Sequence, residues 1–379
     1  MAPTGLYIHI PFCRKACHYC NFHFSTSQDY RQRMLDAMIR ELELRWVDWP
    51  FKTLETIYFG GGTPSILKPE EWLRFSDKLL NIVDSSQVIE FTLEANPEDI
   101  QRDRLKAWTQ AGVNRLSIGI QSLSDQDLAQ MNRAHDSRQA IQSVQLSQDM
   151  GIDNLSIDLI YGTPWKDHQS WEAELHWILD NRIPHLSAYA LTVEEKTALH
   201  HSIRAGKTAI PDEKRAEEQF LLLSHWAIAN QWDHYEISNL CQPSFRAQHN
   251  SQYWNGTPYL GIGPSAHSYN GPQRIWNVAN NALYMSQAES ALSWQAESET
   301  LNPTNQINEM IMTQLRLSEG LNTAKMESLS PNWLAQNRAF LEQQMAMGNL
   351  SLVDTQIVLS TQGRFLCDFI TSQLMVSEL

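Results

Sequence analysis

Three of the five cysteines lie within eight residues, in the segment PFCRKACHYCNF, where they form the spacing Cys-x3-Cys-x2-Cys. Thiolates at Cys13, Cys17 and Cys20 are soft ligands that favour zinc, copper(I) or an iron–sulfur cluster. A four-iron cluster usually takes four cysteines, so three would leave one iron open to another ligand. A structural zinc site completed by His18 or His23 is the alternative.

A disulfide-linked loop is a weaker explanation for this spacing. The chain has an odd number of cysteines, and its start, MAPTGLYIHIPFC, lacks the pattern of a secretory leader. We therefore expect a cytoplasmic protein with reduced thiols. The formal net charge of −14 argues against binding to nucleic acid or anionic membrane, and the absence of a long apolar run argues against an integral membrane segment.

Short β-rich segments alternate with helical patterns along the first half of the chain, which predicts βαβ units and a parallel sheet. Six such units predict an α/β fold with a partial (β/α)6 barrel, whose ligands collect at the carboxyl ends of the strands. The cysteine segment follows the first strand directly and so falls on this rim. The six predicted strands are Leu6–Ile10, Thr56–Gly60, Ile89–Asn96, Arg115–Ile120, Leu155–Gly162 and His185–Leu191.

The alternation of strands and helices ends after about residue 192. We predict three regions: a partial-barrel core over residues 1–230, a connecting segment rich in glycine and aromatic residues over 231–300, and a C-terminal domain over 301–379. In the last region two short strands followed by a helix, in LSLVDTQIVLSTQGRFLCDFITSQLM, indicate a smaller α+β domain of winged-helix-like form.

The cysteine pattern, with an aromatic residue before its last cysteine, resembles the signature of the radical S-adenosylmethionine (radical SAM) superfamily. Further segments, YIHIPFC, GGGTPS, NPE, RLSIGIQS, NRAHD, IDLIYGTP and HNSQYWNG, occur in the order found in the branch that holds oxygen-independent coproporphyrinogen III oxidase and the heme chaperones. The resemblance covers most of the chain. It implies a [4Fe-4S] cluster on Cys13, Cys17 and Cys20, with SAM bound at the open iron.

The resemblance also implies a set of SAM-binding residues. From the residues alone, GGGTPS is a turn that lets backbone approach a ligand, and Glu94 is a strand-end acid that can equally be solvated. Asp158 lies in an apolar strand, where a carboxylate needs a partner or the barrel mouth. The implied SAM-binding residues are Tyr7, Tyr19, Gly61, Gly62, Thr63, Glu94, Gln121, Arg133 and Asp158.

Two departures from the oxidase pattern favour the heme chaperone branch. Phe22 occupies the position of a further cysteine in the oxidase, and the oxidase's N-terminal extension is missing here. The segment HNSQYW resembles the His-Asn-x-x-Tyr-Trp motif of the chaperones, and imidazole is a common heme ligand. His249, Tyr253 and Trp254 are thus heme candidates, although the histidine could instead orient a loop and the aromatics could be packing.

His267, Cys241 and Tyr235 are weaker heme candidates. The sequence thus favours a heme chaperone that carries the cluster and SAM and passes heme, its cargo, to an unknown acceptor protein, which we expect to be respiratory. A radical SAM oxidoreductase that oxidatively decarboxylates a tetrapyrrole is the alternative, so enzymatic activity stays an open question. A structural zinc protein is the third reading.

Overall fold

The computed structural model describes residues 2–377, which form two compact units. The first unit comprises residues 2–212 and 247–299, and the second comprises residues 213–246 and 300–377. Residues 213–246 therefore group with the C-terminal region, whereas the sequence boundaries divided them between the core and the connecting segment.

The first unit is built on an open sheet whose central strands are parallel, as the α/β prediction requires. Each of the six predicted strands is present, so the predicted partial barrel is confirmed as an open sheet. Numbered along the whole chain, its strands are β1 Pro3–Ile10, β2 Thr53–Gly61, β3 Glu90–Ala95, β4 Arg115–Gln121, β5 Leu155–Tyr161, β6 His185–Ala190, β8 Tyr259–Ile262, β9 His267–Tyr269 and β10 Gln273–Trp276, with β11 Glu297–Thr300 at the boundary between the units.

The sheet continues on the far side of β1, which the sequence did not predict. Strand β8 pairs parallel to β1, and β9 and β10 then add antiparallel strands, giving the order β11-β10-β9-β8-β1-β2-β3-β4-β5-β6. Helices join the strands of this unit. They are α1 Arg31–Asp48, α2 Pro69–Ile82, α3 Arg102–Gln110, α4 Asp125–Gln130, α5 Ser137–Asp149, α6 His168–Asp180, α7 Ala198–Arg204, α9 Gln248–Trp254 and α10 Asn281–Ser290, with short 3-10 turns at Pro64–Ile66 and Pro97–Asp99.

Strand β1 separates an apolar helix-facing side from a polar inner side. The Thr4 hydroxyl accepts a hydrogen bond of 3.2 Å from the Trp49 indole, which directly follows α1. Since side chains alternate along a strand, Leu6 shares the helix-facing side and is fully buried there. Tyr7 and His9 therefore face the inner side, where the strand ends gather polar groups.

The second unit is a small α+β domain with its own apolar core. Three of its strands form an antiparallel sheet in the order β12-β14-β13, and Trp333 is fully buried in the core. The two strands and the helix predicted near the C-terminus are present. Its elements are α8 Glu213–Ala229, β7 Asn239–Cys241, α11 Pro303–Leu315, β12 Leu321–Asn322, α12 Thr323–Leu329, α13 Trp333–Ala346, β13 Leu350–Val353, β14 Gln356–Leu359, α14 Thr361–Phe365 and α15 Cys367–Leu374. Within residues 2–377, no helix has the length and apolarity needed to cross a membrane.

Candidate functional site

The three clustered cysteines lie on a closed loop that begins where β1 ends. The Ser25 amide donates to the Pro11 carbonyl at 2.9 Å, and the Cys13 amide donates to the Ser25 carbonyl at 3.0 Å, so the two limbs of the loop are joined at its base. Within the loop the Cys20 amide donates to the Cys17 carbonyl at 3.2 Å. All five cysteines of the chain are free thiols, which agrees with the argument against a disulfide.

Two hydrogen-bond donors from other segments point at the sulfur atoms of this loop, one just after β2 and the other between α4 and α5. The Thr63 hydroxyl lies 3.4 Å from Cys13 Sγ, and Arg133 Nη1 lies 3.4 Å from Cys17 Sγ. Asn96 connects these donors, because its Oδ1 accepts from Arg133 Nη2 at 2.7 Å and its Nδ2 donates to Thr63 Oγ1 at 3.4 Å. Donors of this kind stabilise thiolates and tune the potential of a metal cluster bound by them.

Burial works against ionisation of these thiols when no metal is bound. It raises the pKa of Cys13 to about 12, although the hydrogen bond from Thr63 opposes the shift, and it also raises the pKa of Cys20. A bound metal supplies the positive charge that deprotonates a coordinating thiol. In addition, Arg133 Nε is buried without a hydrogen-bond partner in the described residues. The donor set thus fits a soft metal cluster beside a group that can accept from Arg133.

Each histidine that could complete a zinc site uses one ring nitrogen in a hydrogen bond within the protein. His18 Nδ1 is hydrogen-bonded to the Gln130 carbonyl at 2.8 Å, and His23 Nε2 lies 2.8 Å from Asn281 Oδ1. Throughout residues 2–377, no group of three or more His, Cys, Asp or Glu side chains is placed to hold one metal ion. Thiolates that each bind a different iron of a cluster do not need to converge on a single point, so this arrangement disfavours the zinc reading more than the cluster reading.

The glycines of GGGTPS let the end of β2 pack directly against the start of the cysteine loop. The Gly62 amide donates to the Ile10 carbonyl at 2.9 Å, and the Thr63 amide donates to the Phe12 carbonyl at 2.7 Å. A Cβ on Gly62 would lie 2.7 Å from both of those carbonyl oxygens. Gly61 has φ +100°, and a Cβ there would lie 2.4 Å from the ring of His9. Both positions therefore require glycine.

A second attachment of the loop was missed by the sequence analysis. Arg14, which follows the first cysteine of the cluster, contacts the fully buried Asp99 at 2.5 Å, and the Ser65 hydroxyl donates to the other oxygen of Asp99 at 2.9 Å. Ser65 Oγ also accepts a hydrogen bond of 3.1 Å from the backbone amide of Asn96. The signal was present in Arg14 and in the acid of NPED, but charges on loops are usually solvated, so their pairing could not be inferred.

Two carboxyl groups of the predicted SAM set lie on the inner side of the sheet. Tyr58 donates to Glu94 Oε1 at 2.7 Å, and Ser117 donates to Asp158 Oδ1 at 3.2 Å. Burial raises the pKa of Glu94 to about 7, and the charge of Asp158 adds to that shift. Burial likewise raises the pKa of Asp158 to about 6. Asp158 thus has the partner that the sequence analysis required. Tyr7 lies on the same side, with its ring centroid 6.1 Å from that of Tyr58.

The remaining residues of the predicted SAM set lie close to the cysteine loop or on a strained strand end. Arg133 Nη1 contacts the Tyr19 hydroxyl at 3.4 Å, and burial raises the pKa of that phenol. Gln121 ends β4 with φ +69°, a conformation that costs a non-glycine residue about 1–3 kcal/mol and is commonest at functional sites. The structure therefore brings Tyr19, Thr63 and Arg133 together at the cysteines. SAM binding by the set stays a prediction.

His249, the predicted heme ligand, is buried with both ring nitrogens occupied. Its Nδ1 is hydrogen-bonded to the Thr56 hydroxyl at 2.7 Å and its Nε2 to the Tyr253 hydroxyl at 2.9 Å. Burial lowers its pKa to about 3. This geometry favours the alternative in which His249 positions helix α9, which Trp254 ends, against the sheet. Ligation of heme by His249 would require the loss of one of these hydrogen bonds.

The weaker heme candidates fall into two groups. Cys241 and Tyr235 are buried and belong to the second unit. His267 begins β9 in the first unit and is exposed.

Comparison with known proteins places similarity along nearly the whole chain. Residues 7–178 match the radical SAM superfamily, and residues 301–366 match the HemN C-terminal domain. The heme chaperone HemW of Mycobacterium tuberculosis (strain ATCC 25618 / H37Rv) is 32% identical over 377 residues, covering 98% of this chain and 95% of that protein. The heme chaperone HemW of Bacillus subtilis (strain 168) is 32% identical over 323 residues, covering 83% and 84%.

A solved structure shares the fold over both units. The coproporphyrinogen III oxidase HemN from Escherichia coli, a radical SAM enzyme, superposes with a TM-score of 0.85 at 20% sequence identity, covering 99% of this chain and 90% of that one. At 20% identity, this similarity establishes a shared fold and does not establish a shared activity.

Proposed function

This chain belongs to the radical SAM superfamily and, within it, to the family of the heme chaperone HemW, and from that premise we propose that it binds heme and transfers it to an acceptor protein. The observation that carries the proposal is the 32% identity to a named heme chaperone over 98% of the chain. The acceptor is a protein that uses heme, and we expect it to be respiratory.

The superfamily fold implies a [4Fe-4S] cluster and SAM, and the residues present fit both groups. Cys13, Cys17 and Cys20 would hold the cluster, with Thr63 and Arg133 donating to two of the sulfurs. When bound and reduced, the cluster would supply the electron for reductive cleavage of the SAM sulfonium.

The predicted SAM set supplies complementary groups beside the loop. The unpaired Nε of Arg133 suits the carboxylate of SAM, because a guanidinium can pair with a carboxylate through two hydrogen bonds. Glu94 suits an ammonium or hydroxyl donor. A carboxyl group whose pKa is near 7 can accept a hydrogen bond from such a donor at neutral pH, and the positive charge of a bound ligand stabilises its ionised form.

A radical SAM oxidoreductase acting on a tetrapyrrole is the second candidate, and the intact set of Glu94, Arg133 and Asp158 favours it. Against it, Phe22 replaces the further cysteine of the oxidase pattern, and its side chain is 68% exposed. Formation of a decarboxylated product from coproporphyrinogen III, lost in Cys17→Ala, would establish this candidate. Release of methionine and 5′-deoxyadenosine without substrate would demonstrate cleavage chemistry alone.

The direct test of the chaperone is a titration of hemin into protein whose cluster has been reconstituted anaerobically, with and without SAM, followed by heme absorbance. We expect saturation near one heme per chain, and transfer of that heme to an apo-cytochrome during mixing. If binding is not saturable in any cluster or SAM state, the chaperone proposal is wrong.

A further inference from the structure

Four chemically distinct side chains share one face of the β9–β10 hairpin. Arg274 lies directly opposite Tyr269, and Trp276 lies directly opposite His267, so each pair is on the same side of the sheet. The His267 and Trp276 rings are 6.2 Å apart with an interplanar angle of 29°, and the Arg274 guanidinium lies 5.6 Å from the Tyr269 ring. We call this set, His267, Tyr269, Arg274 and Trp276, the hairpin face.

The hairpin face lies on the inner side of the sheet, the side that carries the candidate SAM residues. Ser268, between His267 and Tyr269, is buried and accepts a hydrogen bond of 2.8 Å from Arg45 of α1. Its neighbours therefore point away from α1, since side chains alternate along a strand. Tyr7 of β1 points away from α1 for the same reason.

A line of aromatic rings joins the hairpin face to the HNSQYW helix. The ring of His249 is 5.0 Å from Tyr253, that of Tyr253 is 4.6 Å from Tyr259, and that of Tyr259 is 6.4 Å from Tyr269. The HNSQYW helix is thus the buried end of an aromatic surface. His267 lies at the other, exposed end.

The two histidines at the ends of this surface differ in what they can bind. Both ring nitrogens of His249 are used in hydrogen bonds, as described above. His267 is exposed, and neither of its ring nitrogens is hydrogen-bonded to any residue that the structure describes. Partial burial of the ring and the charge of Arg274 lower the pKa of His267, which favours the neutral imidazole that binds iron.

We propose that heme binds on the hairpin face, with His267 as its axial ligand, Trp276 and Tyr269 packing against the macrocycle, and Arg274 pairing with a propionate. This inference rests on the proposed function, since it names the binding site for the cargo. The chemistry matches heme in each part: an imidazole for the iron, aromatic rings for a flat apolar ligand, and a cation for its carboxylates. His249 then supports the surface without binding the iron.

The test compares variants in the hemin titration of the reconstituted full-length protein, followed by absorbance and by electron paramagnetic resonance of the ferric heme. His267→Ala should lose the spectrum of histidine-ligated iron and weaken binding by about tenfold or more. Added imidazole should restore the ligated spectrum in this variant. His176→Ala, an exposed histidine on α6, is the matched control and should bind heme as the parent does.

A second pair of measurements isolates the contact with the propionates. Arg274→Gln should weaken the binding of hemin by several-fold, on the order of a charge-assisted hydrogen bond. It should leave the binding of hemin dimethyl ester, which has no carboxylates, unchanged. An equal effect on both ligands would contradict the role of Arg274.

The outcomes separate this inference from the proposed function. If the parent protein fails to bind heme saturably, the chaperone proposal fails and the hairpin site with it. If the parent binds heme and His267→Ala keeps the same ligated spectrum and affinity, the hairpin site alone is wrong. Loss of that spectrum in a folded His249→Gln variant, with His267→Ala unaffected, would return the ligand to the HNSQYW helix.

Discussion

Substitution of Gly62 by alanine should loosen the cysteine loop without touching a cysteine. The new Cβ would lie 2.7 Å from the carbonyl oxygens of Ile10 and Phe12 and 2.9 Å from the Phe12 amide nitrogen. These are backbone atoms, so rotation of a side chain cannot relieve the contact. The two strands must separate, and the hydrogen bonds of 2.9 Å from the Gly62 amide and 2.7 Å from the Thr63 amide must lengthen.

The expected loss of folding free energy in Gly62→Ala combines these effects. Overpacking of a tight contact costs about 1–3 kcal/mol, and weakening two backbone hydrogen bonds adds roughly 1 kcal/mol. For a unit of this size, a loss of about 2–4 kcal/mol corresponds to a fall in Tm of roughly 5–10 °C. Since the displaced end of β1 leads into the cysteine loop, we also expect less iron and labile sulfide per chain after anaerobic reconstitution.

Gly151→Ala is the control for the presence of an added methyl group. Gly151 has φ +81° with no atom within 4 Å of its added Cβ, so alanine there should cost about 1–2 kcal/mol through backbone strain alone. It should leave iron loading unchanged. If Gly62→Ala melts no lower than Gly151→Ala and holds as much iron as the parent, the close approach of β2 to the loop does not position the cysteines.

Three further predictions concern charges that the fold buries. Asp99→Asn should lower the free energy of unfolding by about 1–2 kcal/mol, a modest loss because Arg14 is 41% exposed and water screens the ion pair. It should also lower the iron content after reconstitution, and an unchanged iron content would mean that this pair does not anchor the loop. Glu94 has a pKa of about 7 when folded and 4.5 when unfolded, so its ionisation should remove up to about 3 kcal/mol of stability as pH rises from about 4.5 to 7 in protein without SAM. Glu94→Gln should flatten that part of the stability–pH profile, and an unaltered profile would contradict the buried state of the acid. Lys166→Met should lower the free energy of unfolding by about 3–5 kcal/mol, because it leaves the buried carboxylate of Glu174 without the ammonium that lies 2.5 Å from it in the parent. Thermal unfolding tests this, and adding Glu174→Gln to Lys166→Met should restore part of the lost stability.

The central sheet was predictable because its strands are long enough to carry their own signal. The six β-rich segments are apolar and are separated by helical patterns, so the order of elements and the rim position of Cys13, Cys17 and Cys20 follow from the sequence alone. The hairpin of β9 and β10 could not. Its strands have three and four residues, and they exist as strands because β1 offers β8 a parallel partner far away in the sequence.

The state of individual polar side chains was also beyond the sequence. HNSQYW indicated an imidazole beside aromatic rings, but it held no sign that Thr56 of β2 and Tyr253 of the same helix would occupy both nitrogens of His249. Arg14 and Asp99 were likewise invisible as a pair, because 85 residues separate them. Spacing identifies which chemistry is possible, whereas tertiary packing decides which of the available groups stays free to perform it.

Strand β1 links the two sites that these inferences assign. Its last residues lead into the cysteine loop and pair with β2, which carries Gly61 and Gly62, while its opposite edge pairs with β8 and so supports the hairpin face. His9 lies between them: its ring fills the space beside Gly61, and its Nε2 is hydrogen-bonded at 2.9 Å to the carbonyl of His23, on the returning limb of the loop. A shift of the loop on cluster assembly would therefore be transmitted to β1 and from there to its neighbour β8. Heme affinity on the hairpin face should in consequence differ between cluster-free and cluster-loaded protein.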